Sequence, residues 1–137
     1  MTARCFADTN IFVYAASHAA EDRSKKRIAR ELLSGEDIGL SAQVLQEFYA
    51  VATAKERLGI SMTEAKRAVE AMSEFPVAAI TGDLVKEAID LSAAHRLSYW
   101  DAAIVAAAQA LGCRVLYSED LNGGQKFGSL TIENPFA

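Results

Sequence analysis

Proline and long apolar runs are both scarce in this chain. Two prolines among 137 residues, beside 51% hydrophobic and 23% charged residues, exclude a collagen-like, low-complexity or disordered protein. The longest apolar run, Ala102 to Ala108, falls far short of the roughly 20 residues that span a bilayer, and Met1 to Asn10 lacks a signal peptide's apolar region. The expected compartment is the cytoplasm, with no membrane association. Cysteine is sparse too. Cys5 and Cys113 form no CxxC pair and have no histidine cluster nearby, so both read as small buried hydrophobes. His18 and His95 stand alone, and no GxGxxG or GxxxxGK(S/T) string supports a nucleotide cofactor. Positive charge is not in excess either: 14 Lys and Arg against 18 Asp and Glu give a net charge of -4. A polyanionic substrate would need a local basic patch or bound cations.

What is present is enough apolar residue for one core, and a length of 137 fits one domain over residues 1–137. Ala3 to Ala7 reads as a strand, followed by a helix-compatible run from Ile11 to Ala20, with Asp8 at the join. A second helix is expected from Asp22 to Ser34, apolar through Ile28, Ala29, Leu32 and Leu33 and basic on its other face. Ile38 to Leu40 is a short strand, and Ser41 caps a helix that stops near Gly59. On that helix Val44, Phe48, Val51 and Ala52 form the buried face. At about 100° per residue Glu47 lies about 40° from Val51, a poor position for a purely solvated acid. Ser61 and Glu64 form a capping box for a helix ending before Phe75 and Pro76, and Val77 to Ile80 supplies a third strand. Thr81 caps the next helix. Ser98 with Asp101 has capping-box spacing for one from Tyr99 to Leu111, which Gly112 stops. Arg114 to Tyr117 is a strand, then comes a polar turn from Ser118 to Gln125 and a weaker strand around Leu130 to Ile132. Alternating strands and helices predict an α/β fold with a parallel sheet flanked by helices.

In an open parallel sheet, ligand sites form beyond the carboxyl ends of the strands. Asp8 follows the first strand and Asp120 follows the fourth, so the fold would bring both to one edge, where Glu47 and Asp101 would join them. Each acid also has a purely structural reading: Asp8 as a helix cap, Asp101 as half of a capping box, Glu47 as a boundary residue, Asp120 as a turn former.

Four strings resemble a known family. Asp8-Thr9-Asn10-Ile11-Phe12-Val13-Tyr14-Ala15 is similar to the opening motif of PIN-domain ribonucleases, particularly the VapC-type toxins of bacterial toxin–antitoxin systems. Ser41 to Phe48 resembles the second acidic motif, Tyr99 to Ile104 the third and Leu116 to Leu121 the fourth, with Asn134-Pro135-Phe136 like the family's usual ending. The strings run in order along nearly the whole chain. The resemblance implies a PIN-like three-layer fold and a metal-dependent endoribonuclease. It assigns Asp8, Glu47, Asp101 and Asp120 to an acidic metal site that is also the catalytic site. Asn10 and Ser118 become polar neighbours that orient a carboxylate or a water. Glu119 sits beside Asp120, which fits the family position better. The acidic total charge departs from what an RNA-binding enzyme leads one to expect.

Four crowded carboxylates repel, each pair at 4 Å costing about 4 kcal/mol at an effective dielectric of 20. Oxygen-only ligands favour Mg²⁺, with Mn²⁺ as a substitute, over zinc. Such an ion would activate a water for attack on a phosphodiester. The implied partners are an RNA substrate, a small cognate antitoxin and a second copy of the chain in a homodimer. Arg23, Lys25, Lys26, Arg27 and Arg30 hold five of the 14 basic residues, as a solvated face or as phosphate contacts. Tyr99 and Trp100, next to Asp101, would serve packing or stack a base. Two alternatives remain. A haloacid-dehalogenase-type phosphoryl-transfer enzyme also places Asp after its first strand, but usually has another two positions later, where this chain has Asn10. A non-catalytic PIN-like module binding RNA or protein would gain nothing from concentrated negative charge without metal.

Overall fold

The computed structural model describes residues 1–137. Its elements are β1 (Cys5–Ala7), α1 (Thr9–Ala16), α2 (Arg23–Gly35), β2 (Ile38–Ser41), α3 (Ala42–Ala54), α4 (Met62–Met72), β3 (Val77–Ala78), α5 (Gly82–His95), α6 (Tyr99–Ala110), β4 (Val115–Tyr117), β5 (Lys126–Phe127) and β6 (Leu130–Glu133). The strands form one six-stranded sheet in the order β3-β2-β1-β4-β6-β5. All neighbours are parallel except β5 and β6. The α/β sheet flanked by helices is therefore the architecture that the alternation predicts, with an antiparallel edge hairpin added. No helix is long and apolar enough to cross a membrane.

The helices start where short polar side chains can satisfy their first N–H groups. The hydroxyls of Ser41, Ser61, Thr81 and Ser98 each accept from the backbone N–H three residues on, at 3.1 to 3.3 Å. Ser61 and Glu64 complete a reciprocal capping box. α1 differs from expectation at both ends, beginning at Thr9 and stopping at Ala16 rather than Ala20. The early stop has a local cause. The fully buried Ser17 donates its hydroxyl to Asp22 at 2.7 Å and accepts from Ala19 N at 3.1 Å, which holds the chain in a non-helical turn. α3 likewise ends at Ala54, and a 3₁₀ turn over Glu56–Leu58 carries the chain to Gly59 in the left-handed region.

One core binds the layers together, with Phe6, Phe48, Ile11, Leu40, Leu58 and Leu116 among its largest fully buried side chains. β2 lies so close to its neighbours that a Cβ on Gly39 would meet Leu111 Cδ1 at 2.8 Å and Ala3 Cβ at 2.9 Å, which accounts for a glycine inside a strand. Cys5 and Cys113 are buried and free, and burial pushes the Cys113 thiol up to about 12. Neither is a reactive thiolate at neutral pH. His18 pairs with Glu64 at 2.8 Å and His95 packs edge-on against Phe127.

Candidate active site

Strand register fixes the middle of the site. Ala7 on β1 pairs with Tyr117 on β4, so the next residues of each strand, Asp8 and Ser118, leave the sheet side by side although 110 residues apart in sequence. Asp8 N donates to Tyr117 O at 3.0 Å, and Ser118 N to Glu133 O at 3.0 Å, which extends the sheet one residue beyond its assigned ends. Asp8 caps α1 by accepting from Thr9 N at 2.7 Å through Oδ1, and it accepts the Ser118 hydroxyl at 2.9 Å through Oδ2. The capping and site readings of Asp8 are therefore compatible.

Four elements contribute to a cavity of about 270 Å³ at this edge. Asp8, Thr9 and Asn10 enter from the start of α1, Gln43 and Glu47 from α3, Trp100 and Asp101 from α6, and Asp120 from the turn after β4. All four acids singled out in the sequence line it. Glu47 accepts from the Thr9 hydroxyl at 2.9 Å, which ties α3 to α1. Asp101 donates its backbone N–H to Ser98 Oγ at 3.1 Å, but its carboxylate does not return the bond that completes a capping box. That carboxylate makes no hydrogen bond within the protein and faces the cavity. Asn10 Nδ2 donates to Asp120 Oδ2 at 3.0 Å. Ser118 Oγ, having given its proton to Asp8, accepts from Asp120 N at 3.2 Å and Leu121 N at 3.4 Å, so one hydroxyl orders both the first and fourth acids.

The electrostatics are those of too many like charges in a half-dry space. Burial lifts the Asp8 carboxyl to about 6, against the lowering effect of its Thr9 and Ser118 hydrogen bonds, and Glu47 and Asp120 push it further up. Partial burial and the charges of Glu119 and Asp101 raise Asp120 as well, with Asn10 opposing. No Lys or Arg lines the cavity. The donor set is all oxygen and rich in negative charge, which suits a hard divalent cation and not zinc. As the side chains stand, no three acids close on one ligating point. Closure requires side-chain rotation, for which the unbonded Asp101 carboxylate is free.

Glu119, adjacent to Asp120, belongs to a separate cluster. Its Oε1 accepts from Tyr14 Oη at 2.5 Å and from Asn10 Nδ2 at 3.4 Å, and its Oε2 pairs with Lys25 at 3.0 Å. The Lys25 ammonium lies 4.7 Å from the Tyr14 ring centroid and 5.5 Å from that of Phe136, and these two rings pack edge to face at 5.1 Å. Sequence reading missed Tyr14 as a member of this arrangement. Its signal was present: Tyr14 lies four residues after Asn10, hence on the same face of α1. Of the other basic residues of α2, Arg30 donates through Nε to Ala15 O at 2.9 Å, while Arg23, Lys26 and Arg27 form no ion pair.

Solved structures share this fold. A toxin–antitoxin complex from Klebsiella pneumoniae superposes with a TM-score of 0.69 at 20% identity, over 96% of this chain and 97% of that one. Mycobacterium tuberculosis VapC20, described as a sarcin–ricin-loop-cleaving toxin, gives 0.66 at 18% identity over 83% and 88%. VapBC2 from Rickettsia felis, solved with a DNA fragment from its promoter, gives 0.63 at 17% identity over 95% and 97%. No curated protein sequence matches significantly. The PIN-domain family model matches residues 5–123, from the first strand to just past Asp120. The chain therefore belongs to the PIN-domain family.

Proposed function

We propose that this chain is a metal-dependent endoribonuclease, cytoplasmic, and the toxin of a toxin–antitoxin pair. The observation that carries the reading is the convergence of Asp8, Glu47, Asp101 and Asp120 on one cavity with no basic residue in its lining. Like charges gathered without a counterion destabilise a fold, and a cation site is the arrangement that makes use of them. Membership of the PIN-domain family supports a nuclease, and a fold shared with a toxin–antitoxin complex and a sarcin–ricin-loop-cleaving toxin supports the toxin assignment. The haloacid-dehalogenase alternative usually has a second aspartate where Asn10 stands, and Asn10 is instead a donor to Asp120.

In this reading Asp8, Glu47, Asp101 and Asp120 hold Mg²⁺, or Mn²⁺ in its place. The bound cation supplies charge neutralisation at the scissile phosphate and a lowered pKa for the attacking water. The protein's own groups do the rest. Ser118 and the Thr9 N–H keep Asp8 oriented, Asn10 fixes Asp120, and Thr9 holds Glu47 against α1. A cognate antitoxin that places an Arg or Lys into the cavity would silence the enzyme by pairing with the same carboxylates. A homodimer completes the proposed assembly, to be checked by light scattering across a range of protein concentrations.

The deciding experiment is cleavage of total RNA and of structured oligoribonucleotides by purified protein in Mg²⁺, in Mn²⁺ and in chelator. Cleavage in either metal and none in chelator is expected. Equal cleavage in chelator overturns the metal assignment, and absence of cleavage under all conditions moves the non-catalytic PIN-like module ahead.

A further inference from the structure

Helix α6 is buried along seven consecutive residues, Ala102 to Ala108, yet Trp100 in its first turn is 65% exposed. A side chain of that size and apolarity ordinarily goes inside or against another surface. Trp100 instead lines the carboxylate cavity beside Asp101, and it is the sole tryptophan of the chain. Its main chain is well held. Gln43 Nε2, from a buried side chain on α3, donates to Trp100 O at 3.2 Å, and the Ser98 cap fixes the turn through Asp101 N. Tyr99 packs against the core and meets the Trp100 ring at 5.0 Å and 82°. Such an edge-to-face contact covers at most one face of the indole and leaves the other open at the cavity mouth.

Charge says what that open face suits. Beyond the one phosphate that a bound cation would neutralise, an RNA strand approaching a cavity lined by carboxylates gains nothing from attraction between its phosphates and the protein's own groups there, since every charged side chain in the lining is acidic. The part of a nucleotide that can be gripped without regard to charge is the face of its base, and stacking on an aromatic ring is the means. We propose that Trp100 is the stacking platform for one unpaired base of the RNA, adjacent to the phosphodiester that enters the cavity. The proposal rests on the ribonuclease reading above and adds to it a substrate-binding residue and a selection rule. A base inside a duplex has both faces covered by its neighbours, so the platform admits single strands and loops. Purines, with the larger face, are favoured over pyrimidines at the stacked position.

The test pairs a protein change with a substrate change. Cleavage of a short mixed-sequence single-stranded oligoribonucleotide in Mg²⁺ is measured for wild type, Trp100→Phe and Trp100→Ala, and for substrates carrying one abasic site at each position in turn. Trp100→Ala is expected to raise KM by about 5- to 100-fold with kcat changed little, and Trp100→Phe to keep most of the wild-type KM. One abasic position should raise KM for wild type and have no further effect in Trp100→Ala, a coupling that a merely structural role would not produce. With a single tryptophan, intrinsic emission reports on this position alone. It should be quenched by the single-stranded RNA and not by a duplex of the same sequence. The proposal is overturned if no abasic position couples to Trp100, or if emission responds to protein concentration and not to RNA, in which case a second copy of the chain covers the indole. If no RNA is cleaved, the ribonuclease reading fails by its own test, and the quenching comparison still decides whether Trp100 stacks on bases.

Discussion

Glu119 and Asp120 are neighbours in sequence and opposites in surroundings. Glu119 has only 18% of its side chain exposed and is matched on every side: by the Lys25 ammonium at 3.0 Å, the Tyr14 hydroxyl at 2.5 Å and the Asn10 amide at 3.4 Å. Asp120 is exposed, accepts one side-chain hydrogen bond, from Asn10, and sits among acids that raise its pKa. The same functional group thus has two assignments within one turn. A carboxylate whose charge is already matched has no use for a cation, whereas one left among like charges does. Asn10 touches both, so the paired acid steadies the donor that aims the unpaired one.

Exchanging the two charges for amides gives the largest effect. Asp120→Asn removes a proposed ligand charge at nearly constant volume and is expected to lower metal-dependent RNA cleavage on the order of 100-fold or more. Glu119→Gln acts through Asn10 and through the loss of a charge that raises Asp120, and is expected to cost about tenfold. Rates of both variants, measured at saturating Mg²⁺ and again across a Mn²⁺ titration, test the ranking. If Glu119→Gln is the more damaging change, Glu119 is a cation ligand and the division between the two acids collapses.

The second test uses pH, because burial raises the pKa of Asp8, the acid at the centre of the cavity. Asp8 titrates at about 6 in the fold against an ordinary 3.8. Below the ordinary value both folded and unfolded chains hold the proton. Between the two values the folded chain binds it more tightly, so stability falls as pH rises and the whole cost is present above about pH 6. A difference of about two units corresponds to about 3 kcal/mol. In chelator, wild type should therefore lose about that much stability between pH 4 and pH 7 beyond what Asp8→Asn loses. Mn²⁺ at neutral pH should restore stability to wild type and far less to the variant. Denaturant unfolding of both proteins at the two pH values, with and without Mn²⁺, measures it. Parallel pH profiles for wild type and Asp8→Asn would show that Asp8 carries no strain to relieve. The Ser118 hydroxyl, which needs an acceptor at Asp8, makes the absolute stability of the variant a poorer guide than the slope.

The contrast between Glu119 and Asp120 also marks where sequence reading ran out. Helix starts were legible because Ser41, Ser61, Thr81 and Ser98 act within three residues of themselves. The four acids were legible because each follows a strand or sits in an early turn of a helix that leaves the same sheet edge. The partners of Glu119 were not. Tyr14 and Lys25 stand 105 and 94 residues away, and only the packing of α1 and α2 beside the β4 turn brings them together. The two-residue β5 escaped for a different reason: Lys126 and Phe127 are too few for any periodicity, and their pairing with Thr131 and Leu130 is decided by the Gly128 turn between them. Likewise, nothing local in the Ile11 to Ala20 run announces that Ser17 will turn inward to Asp22.

The smallest expected effect, from Tyr14→Phe, gives the finest view of the matched acid. The change deletes one hydroxyl and keeps the ring, so the edge-to-face contact with Phe136 and the Lys25 ammonium over the ring both survive. Glu119 loses a hydrogen bond and Lys25 loses the hydroxyl to which it donates at 3.2 Å, while the ion pair between the two is retained. A hydrogen bond to a charged, partly buried group contributes about 1–2 kcal/mol, so the melting temperature should drop by a few degrees. Cleavage should change by less than about threefold, since the Asn10 bond to Asp120 does not depend on the lost proton donor. Thermal unfolding and RNA cleavage of the same preparation separate the two effects. A drop in stability without a drop in rate places Tyr14 in the scaffold around Glu119. A fall in rate as large as that of Asp120→Asn would mean that the tyrosine hydroxyl reaches the reacting phosphate, and the boundary between the two acids would have to be redrawn on the far side of Glu119.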